Sequence, residues 1–335
     1  MAESAPLIGR DPLIAAITAF LSGQDARTLA GIRETLEREI DEAGPDALLR
    51  LGERLASARA EWDFYPADPL ARRIHHVLAD RLVEPDPALF GLEHLTAVAG
   101  KPVVIFANHL SYSDANLLEV LLHRAGGAAL VDRLTVVAGP KVYSSLKRRF
   151  SSLCFGTIKT PQSSGLSTED AVMNVRDVAR AARRSIDIAH ERLRRGDALL
   201  VFAEETRSRT SGLQQMLTGV ARYLECPGTC VVPVGITGTE ALFPIGDDMI
   251  HPVKAVARIG RPIEASALRE RTGRDRRLMT LWRGSPPRPS PLRKPSRRHP
   301  DGGRRRRRPS RRSWIASGSL SFVVDREMKS IGIVH

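Results

Sequence analysis

Residues 102–122 read PVVIFANHLSYSDANLLEVLL, and the architecture turns on them. The first six residues are continuously apolar and rich in β-branched side chains, which predicts a strand buried on both faces. A short polar corner follows, and from Asp114 onward the leucines recur at helical spacing. Buried strand, tight corner and helix together make the opening of a βα unit. Four more apolar runs continue the pattern: LTVVA (134–138), ALLVFA (198–203), CVVPVGI (230–236) and AVARIG (255–260). Between the first two of these four lies a long helical stretch, predicted from near Ser167 to Arg195 and stopped by Gly196. The predicted fold class is α/β, with a mostly parallel sheet flanked by helices. Sheets of that kind carry their sites at the C-terminal ends of strands. Pro233, lying inside an apolar run, predicts an edge or bulged strand there.

Upstream of this region the periodicity is helical. Leu29, Ile32, Leu36 and Ile40 share one face, as do Leu70, Ile74, Val77, Leu78 and Leu82, while Gly44-Pro45 and the prolines at 66 and 69 punctuate the pattern. Four amphipathic helices over residues 10–83 are expected. The predicted organisation is an N-terminal helical bundle (1–90), an α/β domain (91–280) and a disordered Arg/Pro-rich C-terminal tail (281–335).

The formal net charge is +13. Between Arg283 and Arg312 there are 13 Arg or Lys residues and one acid, Asp301, so the rest of the chain is close to neutral. The rival reading, a nucleic-acid-binding protein acting through its arginine-rich tail, meets no recognition fold and few aromatics to stack bases. No nucleic-acid partner is therefore expected. The tail's composition is instead that of a GC-rich coding sequence translated in a shifted frame from near Thr280. Three cysteines (Cys154, Cys226, Cys230) are too few for a disulfide framework and lack paired metal-ligand spacing, so reduced structural thiols and no metal are expected. No signal-peptide pattern opens the sequence, and no apolar segment approaches the roughly 20 residues of a membrane span. Work on a lipid would be done from the membrane surface.

His109 and Asp114 stand in an H-x4-D spacing. Roughly half a match per chain of this composition is expected by chance, and His75 to Asp80 is a second one. That second pair lies within a helix, where five residues put the side chains about 140° apart. His109 and Asp114 instead span the strand–helix corner, where the chain reverses and residues five apart can touch. A carboxylate on one ring nitrogen fixes the tautomer, leaving the other to take a proton from a hydroxyl. Backbone amides at the start of the following helix, or near Asn108, are candidates to hold a developing oxyanion. Three other segments carry candidates. VFAEETRSRT leaves a strand with Glu204, Thr206, Arg207 and Arg209, a pair of guanidinium groups suited to phosphate. CFGTIKT ends at Lys159, and VVPVGITG holds Pro233. Lys147, Arg148 and Arg149, on an amphipathic stretch with Leu146 and Phe150, are a candidate contact with anionic lipid.

These four segments, in this order, resemble the four blocks of the glycerolipid acyltransferase family, which includes glycerol-3-phosphate and 1-acylglycerol-3-phosphate acyltransferases. The resemblance covers about residues 100–262. It implies His109 as general base, Asp114 as its orienting partner, and Lys159, Arg207 and Arg209 as the grip on the acceptor's phosphate, with Glu204 and Thr206 shaping the loop. It implies acyl-CoA or acyl-carrier protein as co-substrate, no further cofactor, a glycerol-phosphate-type acceptor, and a cytoplasmic protein peripheral on the inner face of the cell membrane. Two positions depart from the family pattern: Ala203 stands for its proline and Glu205 for its glycine.

Overall fold

The structure is a computed structural model. It describes residues 8–272, except 22, 59–60, 86–87, 162–173, 209–213, 215, 217, 243 and 245–249, and the strand residues 282–283, 321–324 and 331–334.

Four helices lead the chain: α1 (Arg10–Thr18), α2 (Ala26–Ala43), α3 (Pro45–Ser57) and α4 (Pro69–Leu82). Their starts are written locally. Asp25 caps α2 by accepting from the amides of Arg27 and Thr28, both at 3.0 Å. Asp68 caps α4 in the same way, with Pro69 in the first turn, where its missing N–H matters least. The expected apolar stripes are the buried ones: Ile32, Leu36 and Ile40 on α2, and Leu70, Ile74, Leu78 and Leu82 on α4. Each such side chain removed from water contributes about 1.5–3 kcal/mol.

Among the described residues, nine strands form the main sheet: β1 (Phe64–Tyr65), β2 (Leu89–Phe90), β3 (Val103–Ala107), β4 (Leu134–Ala138), β5 (Gly156–Lys159), β6 (Ala198–Phe202), β7 (Cys230–Thr237), β8 (Val256–Ile259) and β9 (Ile263–Glu264). Their order is β1-β5-β4-β6-β3-β7-β8-β2, with β9 beside the start of β7. The run from β5 to β7 is parallel throughout, while β1 against β5 and β7 against β8 and β9 are antiparallel. The expected mostly parallel sheet is therefore observed, and each of the five apolar runs read from the sequence is a strand. The chain also passes through α5 (Leu92–Thr96), α6 (Asp114–Arg124), α7 (Ala128–Val131), α8 (Leu146–Ser152) and α9 (Val175–Arg194).

β3 lies at the centre and is buried along its whole length. Its side chains alternate between two cores. Val103, Ile105 and Ala107 join the core shared with α1–α4 and α6, while Val104 and Phe106 join Leu199, Val201, Ile188 and Leu193, the last two on α9. The leading helices thus share one continuous core with a face of the sheet, and the 64–65 and 89–90 segments add strands near its two edges.

Two details differ from the sequence reading. α9 begins at Val175, because Asn174 is extended and caps it through a 2.9 Å bond from the Asp177 amide; residues 167–173 lie outside those described. β7 is an interior strand, not an edge. Pro233 fits there because it falls between β9, which pairs with residues 230–231, and β8, which pairs with 234–237. Its carbonyl accepts from the amide of Gly260 at that break, so no ladder bond needs the amide proline lacks. Of the tail, three short strands are described, forming a separate sheet of Trp282–Arg283, Ser321–Val324 and Ile331–Val334. The rest of the expected disordered segment lies outside the described residues. All three cysteines are buried and free.

α4 meets α6 through a polar cluster that sequence reading did not find. Glu119 is fully buried, with His76 Nε2 at 2.9 Å, His75 Nε2 at 3.1 Å and Arg72 Nε at 3.8 Å. Burial pushes its carboxyl up, but the hydrogen bonds from His75 and His76 outweigh burial and bring it down to about 2. His75 is therefore bound to a partner other than Asp80, which pairs with Arg124 at 2.8 Å. The second H-x4-D match is a pair in sequence only.

Candidate active site

Asn108 ends β3 and locks it to β7. Its side-chain amide donates to the carbonyl of Ile236 at 2.8 Å and its carbonyl accepts from the Ile236 amide at 2.7 Å. With that anchor set, residues 109–114 fold around one carboxylate oxygen. Asp114 Oδ2 accepts from His109 Nδ1 at 2.8 Å and from the amides of Leu110 and Ser111 at 2.6 and 2.9 Å. Asp114 is fully buried, and the local wrapping explains why a carboxylate at the start of α6 tolerates this. Because a carboxylate only accepts, the bond assigns the proton to Nδ1 and leaves Nε2 with a free lone pair. The imidazole is held from its face by Phe202, ring centroids 4.5 Å apart.

The loop after β6 is tied to the same corner. The Ser208 amide donates to the carbonyl of His109 at 2.7 Å. Glu204, 5% exposed, accepts from the amides of Gln214 and His109. Burial raises its carboxyl to about 8, the amide bonds oppose this, and the nearby charge of Asp114 adds to it. Two amides near Asn108, those of Leu110 and Ser111, and that of His109 are thus engaged by carboxylates, so they are not the oxyanion donors considered from the sequence.

A cavity of about 790 Å³ opens at the C-terminal ends of β3, β4 and β6, where the sheet order reverses around β3. His109, Thr206 and Arg207 line it, together with three residues that sequence reading did not single out as site residues: Tyr112, Lys141 and Tyr223. Arg207 lies over the Tyr112 ring, its guanidinium carbon 3.7 Å from the centroid, and Arg148 lies over the same ring at 4.7 Å. Among the described residues, Arg207 Nη1 is buried without a hydrogen-bond partner. Lys141 is brought in by the turn after β4, a placement that no local pattern announces.

The remaining sequence candidates fall elsewhere. Asp114 and Glu204 stand behind the wall, not on it. Lys159 is buried at the end of β5, its ammonium 4.9 and 5.0 Å from the ring centroids of Trp62 and Tyr143, and it is not among the residues lining the cavity. Arg209 lies outside the described residues. A second cavity of about 130 Å³, walled by Leu78, Leu82, Val120 and Phe150, shares Tyr112, Asn116, Val142 and Ser151 with the large one.

An imidazole whose tautomer is fixed, facing a large cavity with a guanidinium on its wall, is chemically able to take a proton from a hydroxyl held there. Residues 86–237 match the model of the Acyltransferase family, and this stretch is an acyltransferase domain. The family expected from the four blocks is met at that level. Among solved structures, the chain is similar to the 1-acyl-sn-glycerophosphate (LPA) acyltransferase PlsC from Thermotoga maritima, with 18% identity, a TM-score of 0.38, and coverage of 75% of this chain and 84% of that one. No curated protein matches.

Proposed function

We propose that this acyltransferase moves a fatty acyl group from the thioester of acyl-CoA or acyl-carrier protein to a free hydroxyl of glycerol 3-phosphate or 1-acylglycerol 3-phosphate, in phospholipid synthesis. In this reading His109 Nε2 takes the hydroxyl proton as the oxygen attacks the thioester carbonyl. The thiolate leaves and receives that proton as its thiol. Asp114 holds the imidazole in the productive tautomer and stabilises its cation. Arg207 takes the acceptor's phosphate, with Lys141 beside it in the cavity, and Thr206 shapes the loop between them. Arg209 and Lys159 are assigned supporting charge only. The apolar cavity beyond Tyr112 suits the end of an acyl chain.

The observation that carries this reading is the 2.8 Å bond between Asp114 and His109, which lines a cavity whose wall includes an Arg207 nitrogen with no hydrogen-bond partner among the described residues. Contact with the inner face of the cell membrane through α8 belongs to the same proposal. Lys147, Arg148 and Arg149 on α8 support it, and no helix among the described residues is long and apolar enough to cross a membrane.

The test is acyl-CoA-dependent thiol release against a panel of acceptors, with His109→Ala beside the parent. Turnover should fall by at least about 100-fold while the melting temperature holds. Near-normal turnover in a folded His109→Ala protein would reject the assignment.

A further inference from the structure

Among the described residues, Glu205 is the one non-glycine residue with positive φ, at 55°. That region is strained for a residue with a Cβ. The tight turn after β6 enforces it: the Glu205 amide donates to the carbonyl of Phe202 at 3.0 Å, and the Thr206 amide to the carbonyl of Glu204 at 2.7 Å. A glycine would make the same turn without the strain. Strain of this kind persists where a side chain is needed in place, most often at a site.

The surroundings say what the side chain can do. Glu205 lines the large cavity in company with His109, Lys141 and Arg207. Its charge acts on Tyr223, another lining residue. A carboxylate two residues from the proposed phosphate grip repels a dianionic phosphomonoester. It attracts an ammonium joined to the phosphate by a short link. Among the described residues lining the cavity, Glu205 is the one acid and shares the wall with Lys141 and Arg207, the mirror image of a zwitterion.

We infer that Glu205 is a specificity-determining residue that selects acceptors bearing a cationic group next to their phosphate, a zwitterionic lysophospholipid in place of a bare phosphomonoester. This rests on the acyl-transfer reading above and narrows its acceptor.

The experiment compares kcat/KM for acyl transfer from acyl-CoA to 1-acylglycerophosphoethanolamine and to 1-acylglycerol 3-phosphate, in the parent, Glu205→Gln and Glu205→Gly. The parent should favour the ethanolamine acceptor, and both variants should lower that ratio about tenfold, equivalent to about 1.4 kcal/mol. The glycine variant also relieves the strained turn, so its melting temperature should not fall, and loss of fold is separated from loss of preference. A parent that favours the monoester, or a ratio that stays within about twofold in active variants, overturns the role of Glu205 and leaves acyl transfer standing. Transfer to neither of these acceptors, nor to any of the wider panel, overturns both.

Discussion

Replacing Glu204 by Gln tests the reasoning about the site without needing a substrate. The carboxyl is 5% exposed and accepts amide protons from His109 and Gln214, yet its second oxygen is buried with no hydrogen-bond partner among the described residues. Burial raises it from 4.5 in the unfolded chain to about 8 in the fold. A carboxyl raised in this way binds its proton more tightly when folded. The folded state therefore holds more protons than the unfolded state between pH 4.5 and about 8, and stability falls as pH rises through that window. At about 1.4 kcal/mol per pH unit the ceiling is about 5 kcal/mol, and relaxation around the charge should leave about half of it. Glutamine keeps the accepting oxygen and cannot ionise. Urea unfolding at pH 5, 7 and 9 should show the variant close to the parent at pH 5 and about 2–3 kcal/mol more stable than it at pH 9. A difference that stays flat from pH 5 to 9 would refute the burial argument and with it the account of the loop after β6.

Asp114→Asn should lower acyl-transfer turnover about 10³-fold. The amide nitrogen replaces an oxygen that has no partner, or turns toward His109 and reverses its tautomer. Turnover within a few-fold of the parent would show that the tautomer is set by something else. Glu119→Gln should cost about 3 kcal/mol at pH 7, because it loosens the cluster holding α4 to α6. The Glu119 carboxyl is lowered to about 2 in the fold, so its contribution is present above about pH 4.5 and lost as pH falls toward 2. Melting curves of the two proteins should converge over that acidic range, and a constant gap would contradict the pairing.

Much of the architecture was legible because it is written in short windows. Five continuous apolar runs became five strands, and the stripes at helical spacing became α2 and α4, because burial on two faces or one leaves a local period. The His109–Asp114 pair was legible for a related reason: the corner between β3 and α6 is six residues long, and the contacts that close it run to Asp114, the first residue of the helix that follows. The two-residue strands β1, β2 and β9 were not legible, since they form only where a distant strand offers its edge.

The sequence by itself determined the five long strands and the apolar stripes of α2 and α4, where the sheet turns a corner around His109, and that Arg207 follows a strand end. Only the tertiary structure decided which charges share a cavity. It set Lys159 against Trp62 and Tyr143, away from the lining, brought Lys141 and Tyr112 into it, made β7 an interior strand, and closed His75 and His76 over Glu119. The physical reason is range. Periodicity and turns are set by neighbours a few residues away, whereas the company a side chain keeps depends on strand order and register, which no short window contains.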